Sequence, residues 1–175
     1  MARRKPKSTK VVDHQLWRDR TWLVRAGDLH RRQGRPSKVK PLFRAVAEKL
    51  PFGCLKDVRA DLVKRELPQE GVYIAHDSMG VPRYIGRGQI FGRLSLRKKA
   101  QPLELIYFSF YVVSEKNHER EIETLLIRAA ATQLHFNTRK KRVDIESGNV
   151  SDYEAGTIFY ERKRVRGRRR IGVQS

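Results

Sequence analysis

The sequence predicts an α+β protein, a small central antiparallel β-sheet flanked by helices and preceded by an N-terminal helical extension. Three observations predict it. Residues 71–76 and 82–87 are short runs rich in aromatic and β-branched residues, separated by Asp77-Ser78-Met79-Gly80, which is the pattern of a β-hairpin. Leu105 to Val113 is almost continuously apolar, as a central strand covered on both faces would be. Before and after these runs, apolar residues recur at helical spacing.

In chain order, residues 1–10 are basic, contain Pro6, and are too poor in apolar surface to offset their chain entropy, so a disordered arm is expected. Leu16, Trp17, Leu23 and Val24 allow a helix from Asp13, as N-cap, to about Gln33, with Gly34 as its stop. Residues 31–38 read as an exposed basic loop. Pro41 then suits the first turn of a second helix carrying Leu42, Phe43, Val46, Ala47 and Leu50. Pro51-Phe52-Gly53 breaks it, and a third helix over Asp57–Leu67 turns Leu55, Val58 and Leu62 inward until Pro68. Asp77 first and Gly80 fourth favour a type I turn in the hairpin. After the apolar strand, His118 to His135 reads as a long helix with Ile122, Leu125, Leu126, Ala129 and Ala130 on its inner stripe and Ser114 near its entry as a cap. A short strand at residues 157–160 precedes a basic tail over 162–170.

Composition names a partner class and no reaction. The 175 residues carry 39 Lys+Arg against 19 Asp+Glu, a formal net charge of +20, so polyanions should bind. The lone Cys54 excludes an internal disulfide framework and a cysteine-based zinc site. Nowhere do 18 apolar residues run together and no secretory signal opens the chain, so a cytoplasmic protein without a membrane partner is expected. Neither G-x-x-x-x-G-K-[ST] nor G-x-G-x-x-G is present, and the five histidines show no paired metal spacing.

Chemistry concentrates in Gly71-Val72-Tyr73 and, ten residues on, Tyr84-Ile85-Gly86, followed by Arg93, Glu123 and Asn137. With a two-residue loop Tyr73 and Tyr84 are directly opposed on one face of the hairpin; a bulge after Gly80 puts them on opposite faces. Glu123 lies near an apolar helical stripe, where an unpaired carboxylate is costly. It needs a cation, a hydrogen-bond network, or the ordinary alternative of a solvated rim or a pair with Arg120.

In order and spacing these residues resemble the GIY-YIG nuclease family, over roughly residues 69–142. Glu123-Thr-Leu-Leu-Ile-Arg with Asn137 looks like the second half of that signature, Arg93 matches the arginine of the family's first helix, and Arg87 stands where the bacterial excision-repair nuclease carries lysine. The position of the family's frequent His or Tyr, four residues after the arginine, is Arg97, which cannot act as a base at neutral pH.

The resemblance implies a metal-dependent endonuclease with catalytic residues Tyr73, Tyr84, Arg87, Arg93, Glu123 and Asn137. Glu123 is the implied ligand of Mg²⁺ (or Mn²⁺), Tyr73 the base or water-positioning phenol, and the arginines the phosphate clamp. DNA is favoured over RNA because the family's members include restriction, homing and repair nucleases. Arg31, Arg32, Arg35, Arg97, Lys98, Lys99, Arg139, Lys140 and Lys141 are the expected nucleic-acid contacts. The expected organisation is a basic arm and helical extension over 1–68, a nuclease core over 69–145, and a strand with a basic tail over 146–175. Oligomeric state is open, a dimer included, and the alternative is a non-catalytic basic nucleic-acid-binding protein on the same scaffold.

Overall fold

The computed structural model describes residues 8–31, 40–136 and 155–165. It is α+β: three helices and one mixed sheet of seven strands. In chain order the elements are β1 (Ser8–Arg18), β2 (Trp22–Arg31), β3 (Phe43–Pro51), α1 (Leu55–Lys64), β4 (Glu70–His76), β5 (Pro82–Gln89), α2 (Ile90–Ala100), β6 (Tyr107–Val113), α3 (Asn117–Phe136) and β7 (Ile158–Arg164). The spatial order is β1-β2-β7-β3-β6-β4-β5, with β3 and β7 its one parallel junction. Among the described residues no helix is long and apolar enough to cross a membrane.

The sheet is larger than expected because two of the three helices expected before residue 68 are strands. The first is the β1–β2 hairpin. Asp19 turns it, its carboxylate accepting the backbone N–H of Thr21 at 2.7 Å, while Asp13, expected as a helix cap, pairs with Arg25 at 2.9 Å. The second is β3, which lies inside the sheet and is buried on both faces, so its apolar residues follow one another without a two-residue alternation. A strand with two dry faces also satisfies helical spacing, and Leu42, Phe43, Val46, Ala47 and Leu50 do so by coincidence. Register shifts at both ends of β3 and a positive φ of 51° at Lys49 accommodate its irregular pattern.

The third expected helix is α1, shorter than predicted, and the apolar run is β6, an interior strand between β3 and β4. Of the expected disordered arm, Ser8 to Lys10 belong to β1 and the rest lies outside the described residues. The loop from Arg32, Gly34 included, lies outside them too, as does the tail beyond Val165.

The main core fills one side of the sheet, where Val58, Leu62, Ile90, Phe91 and Leu94 of α1 and α2 meet Ala26, Ala45, Tyr73, Phe110 and Tyr160. Asp61 of α1 stitches that layer together. Buried to 7% exposure, it accepts from Arg65 at 2.7 Å and Tyr160 at 3.1 Å and meets His14 at 3.2 Å. The opposite side carries α3, packed over β4 and β5. Ser114 does not cap α3; its hydroxyl donates to the carbonyl of Pro41.

The inner stripe of α3 is rotated from the expected one. Leu125 is 68% exposed and Ala129 is exposed, whereas Glu119, Ile122, Glu123 and Leu126 turn toward the sheet. Both sets keep helical spacing, and in the observed one Glu123 meets a cation of the facing strand, Arg87.

Candidate functional site

The hairpin of β4 and β5 builds the site. Its turn is held as the sequence suggests: Gly80 N–H donates to the Asp77 carbonyl at 3.1 Å, and the Asp77 carboxylate accepts from Met79 and Val81. A bulge then shifts the register, so that Tyr73 faces Gly86 and Ala75 faces Tyr84. The tyrosines are therefore diagonal neighbours on one face, stacked with ring centroids 6.0 Å apart. Neither alternative read from the loop length occurs; the offset is two residues, which restores the shared face.

Two glycines make this packing feasible. A Cβ at Gly86 would lie 2.6 Å from the Tyr73 hydroxyl, and one at Gly71 would lie 2.2 Å from the Tyr111 carbonyl on β6. The first and last residues of the paired motifs thus clear space for a phenol and for a neighbouring strand.

Tyr73 is 1% exposed and packs in the core with α2. Burial pushes its phenol up to about 12, and its hydrogen bond to Tyr84 adds to the rise, against the charges of Arg93 and Arg97. Tyr84 moves the other way. Partial burial raises it, but hydrogen bonds from Arg97 and Tyr73 and the charges of Arg97 and Arg93 hold it below the usual phenol range. The Arg97 guanidinium lies 3.8 Å from the centre of the Tyr84 ring. Of the two phenols, Tyr84 is the partly accessible one and the one whose ionisation the neighbouring charges favour.

Arg87 and Glu123 occupy the other face. Arg87 is opposite Val72, one residue out of phase with Tyr73 and Gly86, and its Nε donates to Glu123 Oε2 at 3.0 Å. The sheet thus separates this pair from the phenols. Among the described residues β5 is the last strand of the sheet, and on it Gly88 has φ 102° and open space around it. The expected partner Arg120 is not the one Glu123 uses.

Around Arg87 sit further charges that sequence reasoning missed. Lys116 donates to Glu70 at 2.9 Å, and that bond holds the Glu70 carboxyl below its usual range. Glu119, one turn before Glu123, is 4% exposed; burial pushes its carboxyl up, with Lys116 and Arg87 opposing and Glu70 reinforcing. The detectable signal was Glu119 and Glu123 at i and i+4, on a face scored as apolar. A separate cavity of about 600 Å³ is lined by Lys40, Arg44 and Arg65 together with Pro41, Leu67 and Ile158.

The remaining expected site residues divide. Lys99 is exposed on α2, whereas Lys98 donates to the carbonyls of Pro102 at 2.7 Å and Leu105 at 2.6 Å and so staples the loop after α2. Arg31 ends β2. Asn137, Arg32, Arg35, Arg139, Lys140 and Lys141 lie outside the described residues. His76 is a satisfied core histidine, with Nδ1 donating to the Gly80 carbonyl at 3.1 Å and Nε2 accepting from the Ser109 hydroxyl at 2.8 Å.

Among the described residues no group of three or more His, Cys, Asp or Glu side chains could hold a metal ion. Comparison of the chain with protein-family models, with curated proteins and with solved structures gives no match.

Proposed function

We propose that this chain is an endonuclease of the GIY-YIG type that hydrolyses phosphodiester bonds of nucleic acid, DNA in preference to RNA, across the margin of β5. The observation that carries the reading is Tyr84, a partly accessible phenol held below its ordinary pKa by Arg97, Tyr73 and Arg93. A phenol in that setting can order an attacking water and, once ionised, take its proton. Tyr73, buried beside it, donates the hydrogen bond that steadies the phenolate. The net charge of +20 supports a polyanionic substrate.

On the other side of the strand, the chemistry of Glu123 fits a singly anchored Mg²⁺ or Mn²⁺. It is a hard oxygen donor at 21% exposure, with Oε2 held by Arg87. When bound, the ion supplies charge neutralisation on the phosphoryl and leaving oxygens. Arg87, 47% exposed, is free to exchange Glu123 for a phosphate oxygen, and Arg93 and Arg97 hold the phosphate from the phenol side. Strand β5 is the ridge that keeps the phenols, with Arg93 and Arg97, apart from Arg87 and Glu123 until a backbone is draped over it.

The test is supercoiled plasmid with Mg²⁺, incubated with wild type, Tyr84→Phe and Glu123→Ala. Nicking by wild type that falls by about a hundredfold or more in both variants is expected. Equal nicking by Glu123→Ala would defeat the mechanism. The closed Arg87–Glu123 pair favours one second reading, a binding protein on this scaffold; tight retardation of DNA and RNA with no cleavage would select it.

A further inference from the structure

The cavity of about 600 Å³ lies where four elements meet. Just past the end of α1 it is lined by Arg65 and Leu67, and just past the end of β6 by Ser114. The parallel strands β3 and β7 both begin there, with Arg44 and Ile158. Hydrogen bonds pin its walls: the Ser114 hydroxyl donates to the Pro41 carbonyl, Thr157 Oγ1 to the Phe43 carbonyl at 2.9 Å, and Gly156 N–H to the Leu29 carbonyl at 2.8 Å. From β3 to β5 there are three inter-strand steps, about 14 Å at ordinary strand spacing. A ligand centred here sits apart from the phenols.

Every charged residue of the lining is a cation: Lys40, Arg44 and Arg65. Arg65 is fixed in place, its Nε donating to Asp61 at 2.7 Å and its Nη1 to Asp28 at 2.8 Å, and those two carboxylates offset its charge. That leaves Lys40 and Arg44, both exposed, whose charge no carboxylate of the lining offsets. A phosphomonoester carries about −1.5 to −2 at neutral pH, a match for two such cations. The rest of the wall is apolar, with Pro41, Leu67 and Ile158, and a bare phosphate would leave it unused. The volume falls in the range of about 300–1,000 Å³ usual for pockets that enclose a small organic molecule.

We propose that this cavity binds a single nucleotide through its 5′-phosphate and base, whether the nucleotide is free or ends a strand. The phosphate lies between Lys40 and Arg44, and Arg65, with N–H groups left on Nη2, donates from the wall. The base lies against Pro41, Leu67 and Ile158. This site goes beyond the cleavage reading and does not depend on it.

The experiment titrates the full chain calorimetrically with adenosine 5′-monophosphate in 0.15 M salt, which screens scattered surface cations. One site per chain is expected. Ribose 5-phosphate and inorganic phosphate should each bind ~10-fold or more weakly, since neither carries a base to cover the apolar wall. Lys40→Ala and Arg44→Ala should each weaken the nucleotide ~10-fold. Lys56→Ala, an equal loss of charge at an exposed position of α1 outside the lining, should leave it unchanged. Both lining cations are exposed, so their variants should keep the wild-type melting temperature. Equal weakening by Lys56→Ala, several equivalent sites, or inorganic phosphate binding as tightly as the nucleotide would overturn the inference. A 5′-phosphorylated dinucleotide that binds more tightly than the mononucleotide would assign the site to a strand end, and the reverse order to a free nucleotide. Plasmid left uncut by wild type would sink the nuclease reading without touching this titration. Tyr84→Phe should bind the nucleotide as wild type does; a loss of affinity there would move the nucleotide to the hairpin and end the proposal.

Discussion

The two faces of the β4–β5 hairpin are organised by different physics. On the α2 face, Tyr73 is sealed in the core, Gly86 is cut away to admit its hydroxyl, and Tyr84 is sandwiched between that phenol and Arg97. On the α3 face, Glu70, Lys116, Arg87 and Glu123 are joined by ion pairs between partly or largely exposed side chains. Packing holds the first set in one arrangement; the second set can trade partners at little cost. The proposed hydrolysis draws on both qualities, a rigid phenol beside an adaptable set of ion pairs.

That contrast can be broken most severely at Gly86. Gly86→Ala drives a methyl group to 2.6 Å from the Tyr73 hydroxyl, and the neighbour that must yield is a buried ring in the core. We expect a loss of about 1–3 kcal/mol in chemical denaturation, with the ionisation of Tyr84, followed by its ultraviolet absorbance, moving to higher pH as the Tyr73 hydrogen bond is disturbed. A Gly86→Ala protein as stable as wild type would show that the phenol face is softer than described.

A comparable loss is expected in acid, from a polar pair that packing rather than ion pairing holds. Burial lowers His76 from 6.5 to about 4, with Lys49 and Arg162 opposing protonation and Gly80 and Asp77 favouring it. The folded chain therefore prefers the neutral ring. Its contribution is fully present above about pH 6.5, the unfolded value, and is lost as pH falls from there through about 4. Urea titrations at pH 7 and pH 4.5 should differ by at most about 3 kcal/mol from this group, and His76→Asn should flatten the difference.

The smallest expected effect is on the α3 face. Arg87→Ala should change stability by less than about 1 kcal/mol, and 0.5 M salt should erase the difference, since the pair it removes is exposed on the arginine side. A loss of several kcal/mol would mean that the pair is locked, and would count against exchange of Arg87 onto phosphate.

How much of this was legible in the sequence depends on how many faces of each element are dry. The hairpin, α1 and α3 were readable because turn residues or one-sided burial mark them, as Asp77 and Gly80 do, whereas α2 was not read from its residues. Strand β3 was not, because Ala45 to Ala47 are buried on both sides and period-two alternation vanishes. The β1–β2 hairpin hid its signal in Asp19-Arg20-Thr21-Trp22, a turn made by an aspartate side chain instead of glycine. At the candidate site, the way the strands and α3 distribute the expected residues was not legible. A bulge at the start of β5 set the tyrosine register, and the strand alternation that sends Arg87 away from Tyr84 places Glu123 behind the sheet. Glu119 escaped because a glutamate on an inward stripe contradicts the apolar rule used to find that stripe.

The position of β7 has one more consequence. It lies between β2 and β3, so the first hairpin joins the rest of the sheet through a strand that comes last among the described elements. During synthesis β1 and β2 emerge first yet have no berth until residues 158–164 have left the ribosome. Over that interval the growing chain exposes a strand margin that only its own last described strand can close.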